Sequence, residues 1–550
     1  MNKKMTRAVA LAMTGAVMSS LLVGCGGKES SAPPASTPSA PSDGGSAEPQ
    51  TTVNTEIYPL DSDITFEVAC ANSKANEFSQ TALWEEVTGV DIEWFGWDDE
   101  QVNMALSSKT LPDAFYGTTA IDKAKAYEYG EAGIFVNFAD YMDIMPNFSA
   151  MLERFPEARQ LVENPDGSIY SLPRIGTTAT THGNLLYFRT DMMEEIGWEE
   201  PPKTTEEFVD YIKAVQEHFG ATDPDFVAFD GYKDTMMDWR AETGMAYYFF
   251  PAFGELVATN LTTTPDGKTV VLGAATEQYR HYLEFMNEVY ESGAFSKNVY
   301  TEDGTASRAL TSENHVAISP FASYLTPANF ESGEMELTIL EPLTSQYWDT
   351  KHWKPRSSAN WSGTVVSASC KDIETMVRWL DSQYATQDNP LTEDGNIWGL
   401  SFWLGEYGKD FTLDKEAKEY KILDHEGYES GSTWLSSNSF GYTLGLDDFL
   451  YVEKSNTGLE IKGRGTIDNL MPYAERPFDM NSIALEPEER DNYTDRWTDI
   501  DNYIKESTAK FITGELDIAS GWDKYLADLD NMGLPEVLEI YQTAYDRQSA

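Results

Sequence analysis

A tryptophan, an arginine and a glutamate lie within four residues of one another in the stretch DWRAETG. They are Trp239, Arg240 and Glu242. A flat indole can stack on the apolar C–H face of a pyranose, while a guanidinium and a carboxylate can hydrogen-bond to its hydroxyl groups. The spacing therefore suits recognition of one sugar unit. The alternative is a salt bridge between Arg240 and Glu242 beside a packed indole.

Four more tryptophans lie among polar, loop-like residues rather than inside apolar runs. QYWDTKHWKP contains Trp348 and Trp353, SANWSGT contains Trp361, and GSTWLSSNS contains Trp434. Because few apolar residues flank these rings in the sequence, we predict that the rings face a sugar ligand. Packing beneath a loop is the alternative for each of them.

Patterns typical of enzymes and metalloproteins are scarce. The sequence has no G-x-S-x-G elbow, no H-E-x-x-H, no Walker A sequence and no CxxC, and its six histidines are dispersed. The stretch from Asp528 to Glu539 imitates an EF-hand but has Met532 where an oxygen ligand is required. We interpret it as a helix end, a glycine stop and a new helix, and expect no metal, no cofactor and no catalytic residue. With 91 acidic residues, a glycosidase pair of carboxylates stays open as an alternative.

The acidic charge of the chain limits its partners. Its 91 acidic and 39 basic residues give a formal net charge of −52, which disfavours nucleic acid and anionic lipid. Solubility at a cell surface explains this charge better than cation binding. A length of 550 residues predicts at least two domains.

The N-terminus combines a short basic segment with an apolar run from Ala8 to Val23. This run is shorter than a membrane-spanning helix and is typical of a secretory signal. Leu22-Val23-Gly24-Cys25 resembles the bacterial lipobox, which implies a signal peptide over 1–24 and a lipidated Cys25. A linker rich in Ser, Pro and Ala follows over 25–59 and would tether a globular body to the membrane. An ordinary signal peptide is the alternative.

Two other cysteines, Cys70 and Cys370, complete the set of three. Cys70 ends the alternating run ITFEVAC, and Cys370 lies in VVSASC. Buried free thiols are our prediction, with a disulfide as the alternative.

The body begins with the pattern of an α/β sheet. ITFEVAC and VDIEWF alternate as strands around a helical stretch that stops at Gly89, which predicts a parallel pair with a right-handed crossover. DAFYG predicts a third strand, and TTEEFVDYIKAVQEHFG predicts a helix with Thr204 and Glu207 as its capping box. Asn72 and Tyr116 follow the first and third strands, where α/β folds gather ligands.

Several segments in order resemble the extracellular solute-binding proteins of ABC importers, specifically the large carbohydrate-binding lipoproteins of Gram-positive bacteria. They are VTGVDIEW, SSKTLPDAFYG, NPDGSIYSLPRI, LLYFRTDMMEEIGWEEPPKTTEEFVDYIKAV, KFITGELD and GWDKYLADLDNMGLPEVLEIYQTAYDRQ. The resemblance implies a two-lobed periplasmic-binding-protein-like α/β fold of type II with a ligand cleft between its lobes. We place lobe one at 60–178 plus 360–480, and lobe two at 179–359 plus 481–550.

The resemblance also implies a function without covalent chemistry. A lipid-anchored monomer on the outer face of the cell membrane would capture an oligosaccharide and deliver it to two permease subunits energised by a separate ATPase. Two alternatives stay open: a surface enzyme that degrades polysaccharide, and a binder of peptide or another non-sugar solute.

Overall fold

A computed structural model of the protein describes residues 53–549 except 177–184, 241–243, 321, 323, 331–332, 334, 356–358, 429, 440–451, 476–482 and 484. The chain divides into two compact units, Met1–Gln50 and Thr51–Ala550. The predicted signal peptide, Cys25 and most of the predicted linker lie outside the described residues. The second unit contains all the elements and hydrophobic cores given below.

Fourteen strands are described in this unit. In chain order they are β1 (Thr65–Cys70), β2 (Asp91–Gly96), β3 (Ala114–Tyr116), β4 (Leu172–Ile175), β5 (Tyr187–Arg189), β6 (Val227–Phe229), β7 (Leu261–Thr263), β8 (Val270–Leu272), β9 (Val316–Ser319), β10 (Leu337–Ile339), β11 (Ala359–Val366), β12 (Phe411–Asp414), β13 (Glu419–Ile422) and β14 (Val452–Glu453).

The described α-helices outnumber the strands. They are α1 (Asn54–Ile57), α2 (Ser79–Thr88), α3 (Asp99–Ser108), α4 (Lys123–Glu131), α5 (Pro146–Arg154), α6 (Pro156–Val162), α7 (Thr190–Glu195), α8 (Thr205–Gly220), α9 (Lys233–Met237), α10 (Met245–Phe249), α11 (Glu277–Glu291), α12 (Gly304–Ser312), α13 (Pro327–Phe330), α14 (Ile373–Asp381), α15 (Ser401–Leu404), α16 (Gly431–Asn438), α17 (Gly458–Gly465), α18 (Pro487–Ile512), α19 (Ile518–Asn531) and α20 (Leu534–Ser549). Among them, none has the length and apolarity needed to cross a membrane.

The first sheet has the strand order β2-β1-β3-β11-β4. β1 pairs in parallel with both β2 and β3, so the predicted strand–helix–strand unit and third strand are confirmed. Phe66 and Val68 on β1 are fully buried, as their alternation predicts. Gly89 ends α2 with a φ of +69°, the left-handed conformation expected of a glycine stop.

The second sheet has the order β10-β5-β9-β6 and is covered by α8 and α11. α8 is the predicted helix, and the Thr204 hydroxyl accepts a hydrogen bond from the Glu207 N–H. The Glu207 carboxylate accepts from the Lys203 N–H instead of returning to Thr204, so the predicted capping box is half formed.

The first and second sheets each have their own hydrophobic core. The first core packs Trp84 against Trp379 and Phe402, with ring centroids 4.2 and 4.7 Å apart. A smaller cluster on the other face of the first sheet contains Phe115 and Val365. The second core gathers the second sheet and the C-terminal helices α18, α19 and α20. Separate cores are what two lobes require.

Segment 458–474 belongs to the part of the chain that we predict to lie in lobe one. Although it precedes residue 480, α17 lies against β10, and the Gly458 N–H donates to the Leu325 carbonyl. A Cβ on Gly465 would stand 2.3 Å from Ile339, so the bare glycine backbone permits this close approach. The segment therefore packs with the second core.

Two smaller predictions concern the cysteines and the EF-hand-like stretch. Cys70 and Cys370 are free thiols as predicted, although Cys370 is only half-buried. Burial raises the pKa of Cys70 to about 11 and that of Cys370 to about 12. α19 ends at Asn531 and α20 begins at Leu534 after Gly533, so the helix–stop–helix interpretation is confirmed.

Candidate functional site

The parallel strands of the first sheet end together at one edge. Cys70 lies opposite both Gly96 and Tyr116, so β1, β2 and β3 terminate side by side. β11 runs the other way, and its first half, which includes Trp361, extends past the end of β3 at the same edge. We call this the first edge, defined by Asn72, Trp97, Gly117 and Trp361.

The second sheet has a corresponding edge. β6 and β9 are parallel and end there, followed by Asp230 and Pro320. β5 begins and β10 ends there, because Tyr187 lies opposite both Ser319 and Ile339. We call this the second edge.

Two chain crossings join these edges. One runs from the end of β4 at Ile175 to the start of β5 at Tyr187, and the other from the end of β10 at Ile339 to the start of β11 at Ala359. Eleven residues span at most about 40 Å. The first crossing therefore keeps the start of β5 within about 40 Å of the end of β4, and the space between the two edges is the candidate cleft.

Two predicted site residues lie at the first edge with accessible surface. Asn72 is exposed, and its Oδ1 accepts a hydrogen bond of 2.9 Å from the Lys74 N–H. Trp361 is half-buried, and its Nε1–H donates to the Ile121 carbonyl over 2.7 Å. That bond fixes the indole while part of the ring stays accessible.

Tyr116 lies at the predicted strand end but its ring points into the core. Only 5% of it is exposed. The ring meets Trp84 and Trp94 edge-on at 5.8 and 5.7 Å, and its hydroxyl donates to Gln383 over 3.2 Å. The strand end is near the cleft, whereas the phenol supports packing.

Trp239 is 2% exposed and belongs to the second core. Its Nε1–H donates to Asp501 over 2.8 Å, which satisfies the indole within the protein. Arg240 is exposed, with its Nε 3.6 Å from the Asp238 carboxylate. Glu242 lies outside the described residues. The predicted cluster thus offers Arg240 to solvent but keeps the ring of Trp239 inside.

Trp353 and Trp434 are also buried, at 3% and 6% exposure. Trp353 meets Tyr247 edge-on in the second core. His425 stacks on Trp434 at 3.8 Å and covers one ring face. Both rings are therefore packed within the protein, and Trp434 with its polar sequence neighbours belongs to α16 rather than to a loop.

Trp348 is half-buried within the second crossing. Its Nε1–H donates to Nε2 of His352 over 2.6 Å, and the other ring nitrogen of His352 lies 2.5 Å from Glu475. Because Nε2 accepts, His352 carries its proton on Nδ1 and donates it to Glu475. This chain of bonds holds the indole in a fixed orientation.

Three edge residues were missed by the sequence analysis: Trp97, Asp230 and Tyr324. Trp97 follows β2 and is half-buried, Asp230 follows β6, and Tyr324 follows β9 with Arg308 over its ring. The signal that selected Asn72 and Tyr116, a position just after a strand, also applies to Trp97 and Asp230, whereas Tyr324 lies five residues beyond the end of β9.

Asp230 is fully buried at the second edge. Neither carboxylate oxygen completes a hydrogen bond of normal geometry within the described part of the chain. Burial raises the pKa of this carboxyl to about 6, although the nearby Ser307 hydroxyl and Gly231 N–H act in the opposite direction. Such a group gains from any hydroxyl that approaches it.

The volumes of the described cavities indicate a different ligand-binding place from the one that the strand topology indicates. A cavity at the second edge between Leu186, Ile339 and Trp353 measures about 20 Å³, which holds about one water. A groove of about 570 Å³ lies between α11 and the turn after α18, with acidic walls that include Glu284 and Asp517. We place the candidate site in the cleft because ligands of open α/β sheets bind at carboxyl strand ends.

The sequence profile of bacterial extracellular solute-binding proteins matches residues 81–389, more than half of the chain. The chain is 25% identical over 501 residues to the fructooligosaccharide ABC transporter substrate-binding protein FusA of Streptococcus pneumoniae, covering 85% of this chain and 86% of FusA. It is 22% identical over 431 residues to the lipoprotein LipO of Bacillus subtilis, covering 76% of this chain and 78% of LipO.

Solved structures match the fold over most of the chain. FusA in complex with kestose superposes with a TM-score of 0.66 at 23% identity, covering 88% of this chain and 99% of that one. An extracellular solute-binding protein from Bifidobacterium longum subsp. infantis gives a TM-score of 0.70 at 17% identity with the same coverage. The predicted two-lobed α/β fold is therefore confirmed.

Proposed function

Because this chain belongs to the bacterial extracellular solute-binding proteins, we propose that it captures an oligosaccharide outside the cell and delivers it to an ABC importer. The observation that carries the proposal is the cleft between two strand edges, which two crossings join. Support for a sugar comes from the similarity to FusA, whose name records fructooligosaccharide binding, and from half-buried indoles at the first edge. The ligand would bind and leave without covalent change.

Four described side chains with accessible surface are proposed to contact the ligand: Asn72, Trp97 and Trp361 at the first edge, and Arg240 of the second lobe. The indoles would stack on sugar rings, while Asn72 and Arg240 would hydrogen-bond to hydroxyl groups. Because Arg240 comes from the second lobe and the other three side chains from the first, the ligand would favour the closed arrangement of the lobes.

We further propose that Cys25 carries the lipid that holds the protein, as a monomer, on the outer face of the cell membrane. Two permease subunits and a separate ATPase would complete the importer. Replacing Cys25 with Ser should release the protein into the medium. If this variant stays bound to cells after the cells are washed in high salt, the proposed lipid anchor is contradicted.

Calorimetric titration of the unit from Thr51 onward against neutral and acidic oligosaccharides, followed by chromatography of each mixture, tests the proposal. Saturable binding with intact sugar is expected. Cleavage of the sugar would mean that the protein is an enzyme. If no sugar gives a heat of binding, peptides or other solutes would become the candidate ligands.

Matched tryptophan variants test the cleft itself. Trp97→Ala and Trp361→Ala should each weaken binding about tenfold, because each removes a ring at the first edge. Trp198→Ala is the control, since Trp198 is also half-buried but follows the opposite end of β5 and packs edge-on against Tyr211. Equal affinities of all three variants would place the ligand elsewhere.

A further inference from the structure

The pairing of β11 with β4 is irregular beside Trp361. Trp361 lies opposite Pro173, but the next pair along the two strands is Thr364 and Leu172, so residues 362–363 are inserted between consecutive positions of β4. An insertion of this kind bends a strand and changes the direction of the side chains beside it. We call residues 362–363 the β11 bulge.

The bulge contains a glycine that lies against another part of the backbone. Gly363 has a φ of +61°, in the left-handed region. A Cβ there would stand 2.0 Å from the Thr118 carbonyl oxygen and 2.9 Å from the Ile121 carbonyl oxygen. Both atoms belong to the segment 118–121, which follows β3 and which we call the β3 loop. Because these are backbone atoms, the loop can lie this close only to a residue without a side chain.

The β3 loop also holds the indole of Trp361 in place. The Trp361 Nε1–H donates to the Ile121 carbonyl over 2.7 Å. The loop is fixed in turn, because the Thr119 hydroxyl donates to the carboxylate of Asp99, the first residue of α3, over 3.0 Å. The orientation of this half-buried ring therefore depends on where the β3 loop lies.

Hydrogen bonds fix the bulge on both sides. The Ser362 hydroxyl donates to the Leu172 carbonyl on β4 over 2.5 Å. The Thr364 hydroxyl accepts from the N–H of Gly117, which follows β3, over 3.1 Å. Ser362 and Thr364 are both buried. The bulge and the β3 loop are therefore parts of one hydrogen-bonded frame around the Trp361 ring.

We propose that Gly363 is a positioning residue for ligand binding, because it lets the β3 loop hold the Trp361 indole in the orientation that faces the ligand. The inference rests on the proposed function, in which Trp361 stacks on a sugar ring. Stacking requires the flat face of the indole to be presented to the sugar, and a ring held in that orientation before binding loses little conformational entropy. A side chain at position 363 would displace the loop, and with it the acceptor of the indole N–H, without contacting the ligand.

Calorimetric titration of the unit from Thr51 onward, with kestose first and then with the panel of neutral and acidic oligosaccharides, tests this role. Gly363→Ala should weaken binding of the best ligand about fivefold. In a Trp361→Ala background the same change should cause no further loss, because the ring that Gly363 positions is absent. A merely structural role would lower the thermal stability and leave the affinity of the folded protein unchanged.

Gly133→Ala is the matched control. Gly133 follows α4 and also has a left-handed φ, +69°, but a Cβ there would have no described atom within 4 Å. This variant carries the cost of a side chain in the left-handed region without displacing a neighbour. It should therefore bind sugar like the wild type.

The outcomes separate the role of Gly363 from the proposed function. Unchanged affinity of Gly363→Ala, or an equal loss with and without Trp361, would overturn the positioning role while sugar binding stands. If the wild type binds none of the tested sugars, both proposals are overturned.

A second variant decides the question if Gly363→Ala does not fold. Thr364→Val adds no bulk but removes the hydroxyl that accepts from the Gly117 N–H. It should weaken sugar binding about two- to threefold when Trp361 is present and leave the affinity unchanged in the Trp361→Ala background. Equal affinities of Thr364→Val and the wild type, or equal losses in both backgrounds, would overturn the positioning role.

Discussion

Asp381 is the last residue of α14, and its carboxyl group is fully buried against the first turn of α5. The Phe148 N–H donates to one of its oxygens over 2.7 Å, and the Asn147 side chain donates to the other over 2.7 Å. Burial nevertheless raises the pKa of Asp381 from 3.8 to about 7. The folded state therefore holds this proton more tightly than the unfolded state does.

The free energy of unfolding should therefore depend on pH through the protonation of Asp381. Because the folded pKa lies above the unfolded one, the Asp381 contribution increases as the pH falls from about 7 toward 4, and decreases as the pH rises through that window. Its full size is about 4 kcal/mol. Asp381→Asn should remove this slope in urea denaturation at pH 4 to 8.

The exposed Asp394 supplies a control of opposite sign. Hydrogen bonds from Thr392 and from the Asn396 N–H lower its pKa, so its contribution is lost as the pH falls. Asp394→Asn should leave the Asp381 slope in place. An Asp381→Asn curve parallel to the wild type would contradict the assignment.

Trp239 supports the second core through packing and one hydrogen bond. Trp239→Phe keeps an aromatic ring but removes the Nε1–H that donates to Asp501, so we expect a loss of about 1 to 3 kcal/mol in the free energy of unfolding. Sugar affinity should stay within about twofold of the wild type, because the ring is 2% exposed. Chemical denaturation and calorimetry measure the two quantities, and a large affinity loss with unchanged stability would return Trp239 to the ligand site.

At the scale of elements, the close packing of α17 against β10 depends on Gly465, which has no side chain. A Cβ on Gly465 would stand 2.3 and 2.5 Å from side-chain carbons of Ile339 on β10. Since neither element can yield without repacking, Gly465→Ala should cost about 1 to 3 kcal/mol of stability.

Gly220 is the matched helical glycine for that test. A Cβ there would lie 2.7 Å from Nε2 of Gln216, a side-chain end that can move at the cost of its hydrogen bond to the Phe226 carbonyl, so Gly220→Ala should cost less than Gly465→Ala, at most about 1 kcal/mol. Thermal and urea denaturation of both variants measures the difference. Equal effects would show that contact with β10 does not determine the cost.

The whole molecule is expected to close around its ligand. Sugar at about 100 times its Kd should stabilise the protein by about 2.7 kcal/mol and decrease its radius of gyration in small-angle X-ray scattering. The double variant Trp97→Ala/Trp361→Ala at the same sugar concentration is the control and should stay open. Stabilisation without compaction would mean that binding involves one lobe only.

Local patterns predicted the elements well where the signal is local. The alternation of β1 and β2, the stop at Gly89 and the cap at Thr204 depend on residues a few positions apart, and all appear in the structure. The site was harder to predict. Asn72 and Trp361 lie at the first edge, but Trp239 is covered by Asp501, which is 262 residues away in the chain.

The sequence by itself determined the α/β class and the strand ends where a ligand would bind, because apolar periodicity and strand alternation are written in neighbouring residues. Its N-terminal pattern predicts secretion and a lipid anchor for the same reason. Only the tertiary structure decided which aromatic rings are accessible. Whether a ring flanked by polar residues is buried depends on what packs over it, as His425 does over Trp434 and as the C-terminal helices do over Trp239. Those partners come from distant segments, and no local pattern reports them.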